Sequence, residues 1–435
     1  MSRFLTQNRS LVILPVALIF LAVNVTFISI PNPQPYVDIV AQEGWGNDAL
    51  RNSLSSLYGG VDYPPLYMYA LYFNAWLNHH LTNDSGPGTF PYMFISRMIP
   101  VLCDLLIGCV LFFALRKWGL KSAVVGASLY IFNPAIMYDT SYWGQVDSVY
   151  TLFLLLSLQS LEGKKYFLST LYASVAVLTK LQAFFFVPIL AIVLISNLRV
   201  KRILGIVLGD VIFVTAIMFP FIGVVGNIAS NMFSNFGQYP YVTMNALNPW
   251  FLLFSYAIPV FKQCMRDTNM VYGISFRMVG YLAFAAYTGL VMYQIRKDER
   301  NLLLGSASIA FASFMLPTEI HERYLFPFFP LFLLIALRKR EHIGVYTILT
   351  ITYLLNLMLA SPFGGFYSIF YFVQEALTAI GRFALLGNSP RIIAAINTFV
   401  FVYFSATGIF SQLIKNGRHL LLLGRRIVQN LQKVK

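Results

Sequence analysis

The residues able to do chemistry in this chain fall in four short stretches. Residues 32–66, NPQPYVDIVAQEGWGNDALRNSLSSLYGGVDYPPL, carry Asp38, Glu43, Asp48 and Asp62. The turn SYWGQVDS carries Trp143, Gln145 and Asp147, and TKLQAFFFVP carries Lys180 and Gln182. PTEIHERYLFPFFP carries His321, Glu322 and Arg323. All four are bordered by apolar runs, where desolvation makes each charge expensive unless it is paired or used. A carboxylate can take the proton from an attacking hydroxyl. Arginine offers a bidentate fork and lysine a point charge, and with His321 they can hold and neutralise a phosphate leaving group. The set points to glycosyl or phosphoryl-linked transfer. No Walker loop, GxGxxG or HExxH occurs, so a nucleotide-dependent mechanism is poorly supported and no cofactor is expected. The outer acids are too scattered to make a metal site the expectation, although Asp38 with Asp62 or Asp147 is the pairing to watch.

The elements that must position these residues are membrane helices. The chain is 58% hydrophobic and 11% charged, against about 25% charged in a soluble domain, and its mean hydropathy is +0.67. Apolar stretches near spanning length cover residues 11–30, 95–115, 203–225, 278–293, 345–359 and 393–409. The expected fold class is an all-α polytopic membrane protein, because helices satisfy their own backbone polar groups in lipid. The first segment is expected to persist as a span, since Pro31, Pro33 and Pro35 follow it instead of a small-residue cleavage site.

A net charge of +14 would suggest nucleic acid in a soluble chain. Here most of the Lys and Arg lie in short breaks at 116–121, 164–165, 199–202, 296–300 and 338–340 and in a tail, 415–435, on every second loop. That is the positive-inside pattern, which encodes orientation and contact with anionic lipid, not nucleic-acid binding. It gives about twelve spans with both termini cytoplasmic. The unusual polar residues then share the outer face. A long first outer loop, 32–94, is expected to hold two interfacial helices, over 36–58 and the aromatic-rich 66–81. A second outer loop, 226–276, contains an apolar stretch at 249–261 that reads as re-entrant or interfacial. A third covers 361–391. No internal repeat or linker divides residues 1–435, so a single membrane domain and a monomer are expected. Cys103, Cys109 and Cys264 show neither metal spacing nor a disulfide framework.

Taken in order, an aspartate early in the first outer loop, DYPPL, WGQVDS, K-x-Q and HERYLFP resemble the membrane glycosyltransferases of the GT-C fold. The similarity is greatest to the prokaryotic mannosyltransferase-like members, related to eukaryotic membrane glucosyltransferases and to the GPI mannosyltransferases. The resemblance covers most of residues 11–340 and is carried by the combination of motifs. It implies a GT-C-like bundle that moves a hexose, mannose or glucose, from a polyprenyl-phosphate donor. The acceptor would be a lipid-linked or surface glycan on the outer or lumenal face, and transfer would invert the anomeric centre. It maps the base onto Asp38, and the group near the donor phosphate onto His321, Glu322 and Arg323. The eukaryotic glucosyltransferases have sequences resembling HFQYN and HEK where this chain has WGQVDS and HERY. That favours a prokaryotic cell membrane over the endoplasmic reticulum and leaves the sugar open.

Each residue also has a plainer reading. Asp38 suits a helix N-terminus, and Asp62 before Tyr63-Pro64-Pro65 suits a turn. Asp62 is also the alternative base, or an acceptor-orienting group. Trp143 suits the aromatic belt and Asp147 a helix start. Lys180 could snorkel, yet it and Arg323 break the positive-inside pattern by sitting outside, which favours phosphate contact. Glu322 is expected to orient Arg323, with Gln145 and Gln182 in support. Arg97 and Asp104 lie seven residues apart, two turns on one helix face, and suggest an ion pair or packing. A transporter or lipid flippase is the competing class. The lack of a repeat between halves, and of paired broken helices, counts against it.

Overall fold

The computed structural model describes residues 10–29, 37–58, 61, 63–234, 237–255, 264–360 and 389–411. Asp62, the 415–435 tail and most of the third outer loop lie outside the described residues. The chain opens with α1 (Ser10–Ile28), α2 (Val37–Arg51), α3 (Pro65–Thr82), α4 (Phe90–Leu115), α5 (Leu120–Ile131) and the single turn α6 (Pro134–Met137). A π-helical segment, Tyr138–Trp143, leads to α7 (Asp147–Glu162), α8 (Tyr166–Thr179), α9 (Val187–Asn197), α10 (Val200–Met218) and α11 (Val225–Ser234). The second half holds α12 (Pro249–Phe254), α13 (Phe276–Lys297), α14 (Leu302–Met315), α15 (Phe328–Arg338), α16 (Ile343–Ala360) and α17 (Ser389–Ser405).

Among the described residues, five helices are long and apolar enough to cross a membrane: Phe90–Trp118, Val200–Met232, Phe276–Lys297, Ile343–Ala360 and Pro390–Phe410. A sixth is formed if Leu120–Ile131 and Pro134–Trp143, bent by 41°, count as one broken span. The chain is thus an all-α membrane protein in its main architecture. Several apolar helices, Pro15–Thr26 among them, are too short to meet the spanning length on their own. The break at Asn133-Pro134 has a local cause. Proline cannot donate to the preceding turn, and the Asn133 side chain instead accepts from the amides of Ala135 and Ile136. Asn133 also ties this break to α16 through Tyr346 and Thr350.

One short strand pair accompanies the helices. Two-residue strands β1 (Met270–Val271) and β2 (Ile274–Ser275) form an antiparallel hairpin. Tyr272 and Gly273 both have positive φ, 52° and 81°, which suits the tight primed turn that joins such strands. The apolar stretch at 249–261 is described over 249–255. There it forms the short α12, capped by the Asn248 side chain on the Phe251 amide.

Two features of residues 32–94 position the site. The stretch 36–58 becomes α2 followed by a 3₁₀ turn, Leu54–Leu57, and 66–81 becomes α3. The two helices lie very close. A Cβ on Gly46 would come within 2.5 Å of the Leu71 carbonyl oxygen, so only glycine fits there. The Tyr67 hydroxyl donates to Gln42 at 3.0 Å across the same contact. The α7–α8 hairpin is pinned deeper in the bundle. Ser157 and Ser169 each donate to the other's carbonyl at 2.8 Å, which satisfies hydroxyls that lipid would leave unpaired. An aromatic core of Phe311, Phe328, Phe332 and Phe404 closes the second half, with α14 and α15 buried along nearly their full length.

Candidate active site

Asp38 sits in the first turn of α2, where a negative charge is favoured by the helix dipole. Gln145 Nε2 donates to its Oδ2 at 3.0 Å. Among the described residues Asp38 makes no ion pair, so an amide and not a cation orients it. Gln145 comes from the turn that ends the π-helical segment. Gly144 there has a φ of +80°, the left-handed region, and a Cβ on it would lie 3.1 Å from Ile39 Cδ1. Glycine suits this turn, because its φ is one that other residues rarely adopt.

Asp147 begins α7 and is fully buried. Lys180 Nζ donates to both its oxygens, at 2.8 and 2.9 Å. Lys180 is only 4% exposed, so it does not snorkel to the surface. Its ammonium lies over the rings of Tyr150 and Tyr324, at 5.5 and 5.3 Å. Asp147 holds this ammonium directly, so a phosphate would have to share Lys180 with it. Gln182 follows in the 3₁₀ turn Leu181–Phe186 and hydrogen-bonds the Tyr324 side chain, while its Oε1 has no partner among the described residues.

The HERY turn is held by the backbone of residues 241 and 244. Met244 N donates to Ile320 O at 2.8 Å and Glu319 N to Tyr241 O at 3.2 Å. Below, the Tyr353 hydroxyl of α16 donates to the Arg323 carbonyl at 3.0 Å. Glu322 Oε1 accepts from Arg323 Nη1 at 2.8 Å. The guanidinium lies over the Trp143 ring at 5.6 Å, a cation–π contact. Arg323 Nε has no hydrogen-bond partner among the described residues, which leaves a buried donor available. His321 packs edge-on against Tyr239 at 5.6 Å and beside Tyr324 at 5.3 Å. Burial, with Arg323 and Lys180 nearby, holds its imidazole well below the usual value. His321 is therefore neutral near pH 7. As a neutral ring it is a hydrogen-bonding group for a phosphate.

The four stretches thus converge. Trp143 and Gln145, two residues apart on one turn, carry the cation Arg323 and the carboxylate Asp38 respectively. Asp62 lies outside the described residues. Its neighbour Tyr63 lies within the fields of Arg323, Asp38 and Asp147. Arg97 and Asp104 do not bond each other as expected: Arg97 donates to the Tyr142 carbonyl, and Asp104 accepts from the Tyr130 hydroxyl at 2.8 Å.

One acid escaped the sequence reading. Asp139 is fully buried in the π-helical segment, and neither carboxylate oxygen has a hydrogen-bond partner among the described residues. Asp147, Lys180 and Arg323 all act on it electrostatically. The signal was available, a carboxylate in an apolar run eight residues before Asp147. Among the described residues no group of three or more His, Cys, Asp or Glu is placed to hold a metal ion.

No family model matches this chain, and no curated protein matches it.

Proposed function

We propose that this protein is an inverting membrane glycosyltransferase that moves mannose or glucose from a polyprenyl-phosphate donor to a lipid-linked or surface glycan. The observation that carries the reading is the WGQ turn, which brings together a carboxylate held by an amide and an arginine whose Nε has no hydrogen-bond partner among the described residues. In this reading the shorter apolar helices complete a GT-C-like bundle of about twelve spans. The site faces outward or toward the lumen, and the lipid donor reaches it from the bilayer.

Arg323 holds the donor phosphate through its free Nε–H, with Glu322 and Trp143 fixing the guanidinium plane. His321 adds a neutral hydrogen bond, and Lys180 adds charge shared with Asp147. Asp38 accepts the acceptor hydroxyl proton as that oxygen attacks C1 from the face opposite the phosphate. The C1–O bond breaks, the electron pair leaves with the phosphate, and the anomeric centre inverts. The phosphate diester becomes a monoester, a competent leaving group, so no general acid is required.

The test is transfer by purified protein in lipid vesicles, offered radiolabelled polyprenyl-phosphate mannose or glucose with a crude pool of lipid and glycan acceptors. Label appearing in acceptor from one donor is the expected result. Movement of lipid or solute across the vesicle wall without transfer would contradict the reading and favour a flippase.

A further inference from the structure

Arg97 is, among the described residues, the largest fully buried polar side chain, 1% exposed, and lies within the candidate span Phe90–Trp118. A charge at that depth is costly and asks for a reason. Its guanidinium bonds the backbone of two elements. Nε and Nη2 converge on the single carbonyl of Tyr142, at 3.1 and 2.7 Å. Nη1 turns back to the Met93 carbonyl of its own helix at 3.0 Å. The planar guanidinium therefore links the backbone of α4 to the end of the π-helical segment. Carbonyls at a helix end lack intrahelical partners, and Arg97 supplies two donors to one of them.

The stem of the same side chain reaches further. A Cβ on Gly144 would lie 3.2 Å from Arg97 Cγ and 3.1 Å from Ile39 Cδ1. Arg97 and Ile39 thus both pack against Gly144. The next residue after Gly144 is Gln145, and the residue before Ile39 is Asp38, the two ends of the 3.0 Å bond that orients the carboxylate.

We propose that Arg97 is a positioning residue for transfer, acting through the 142–145 turn to hold Gln145 against Asp38. This rests on the glycosyltransferase reading above. Lysine cannot replace it, because one ammonium cannot present a planar pair of donors to one carbonyl while a third reaches another.

The test compares R97K, Q145A and the double variant in lipid vesicles, with folding checked by near-ultraviolet circular dichroism. R97K is expected to lower kcat by about 100-fold, the scale of a 1 Å misplacement, with donor KM changed by less than about threefold, as for an interaction felt only in the transition state. In the Q145A background, R97K should change kcat by less than about threefold, since the residue it acts through is gone. Losses that multiply instead, or a raised donor KM at unaltered kcat, would overturn the proposal. Should R97K fail to fold, Ile39→Ala removes the other wall of Gly144 and is judged by the same non-additivity. Multiplying losses in an active protein strike only the role of Arg97. Absence of transfer by the unaltered protein overturns the glycosyltransferase reading as well.

Discussion

Glu43 and His321 carry opposite costs that pH can separate. Glu43 is buried on α2 with one carboxylate oxygen unpartnered among the described residues, and burial pushes its pKa up to about 7. The folded state then holds its proton more tightly than the unfolded chain. Glu43 therefore costs nothing below about pH 4.5, and the penalty grows as pH rises to 7, reaching on the order of 3 kcal/mol. Glu43→Gln should raise the melting temperature at pH 8 and leave it nearly unchanged at pH 5, followed by thermal unfolding in detergent. His321 works in the other direction. Its folded-state pKa is depressed, so the unfolded chain takes up a proton first as pH falls below about 6.5. Stability is lost on acidification, and His321→Gln should flatten that loss between pH 7 and pH 5. The types of the site residues were legible in the sequence because charges are rare in so apolar a chain. Their pairing was not. The Lys180–Asp147 pair spans 33 residues, and which cation meets which carboxylate depends on how α7 and α8 pack.

At the scale of elements, the α2–α3 contact and the α7–α8 hairpin set the geometry. Gly46→Ala would press a methyl group onto the Leu71 carbonyl. The expected cost is about 1–3 kcal/mol from overpacking, seen as a lower melting temperature, and transfer should fall because Asp38 rides on α2. The buried pair offers a second test. Asp147→Asn leaves the Lys180 charge without its partner and should cost about 3–5 kcal/mol, whereas replacing both, Asp147→Leu with Lys180→Met, should cost less. A double replacement at least as damaging as the single one would contradict the pairing. Hydropathy and aromatic content marked α2, α3 and most of the helical segments well. They did not mark the π-helical segment or the β1–β2 hairpin. Those depend on backbone satisfaction and turn conformation, at Gly144 and at Tyr272-Gly273, that side-chain periodicity does not encode.

For the whole molecule, the charge pattern implies a sidedness that the bundle alone does not reveal. Asp48 on α2 and Lys121 on α5 are both exposed. In a background with the three native cysteines replaced, Asp48→Cys should react with a membrane-impermeant maleimide on intact cells, and Lys121→Cys only after permeabilisation. Labelling of both from one side would contradict the positive-inside orientation. The number of spans was the least legible property. Many apolar segments here are short or broken, and α14 and α15 are sheathed by other helices, so length and hydropathy no longer separate a span from a buried core helix. The convergence of four distant stretches on one site is equally a property of the complete fold, since the HERY turn is held by backbone hydrogen bonds from Tyr241 and Met244.

The central claim is that Asp38 is the base of a sugar transfer, and one substitution tests it most directly. Asp38→Asn keeps the shape of the side chain and removes its basicity. In lipid vesicles with the polyprenyl-phosphate donor that the unaltered protein uses, the variant should bind donor with unchanged affinity and lose transfer by about 100-fold or more. Transfer at the unaltered rate by folded Asp38→Asn protein would contradict the account and move the base elsewhere.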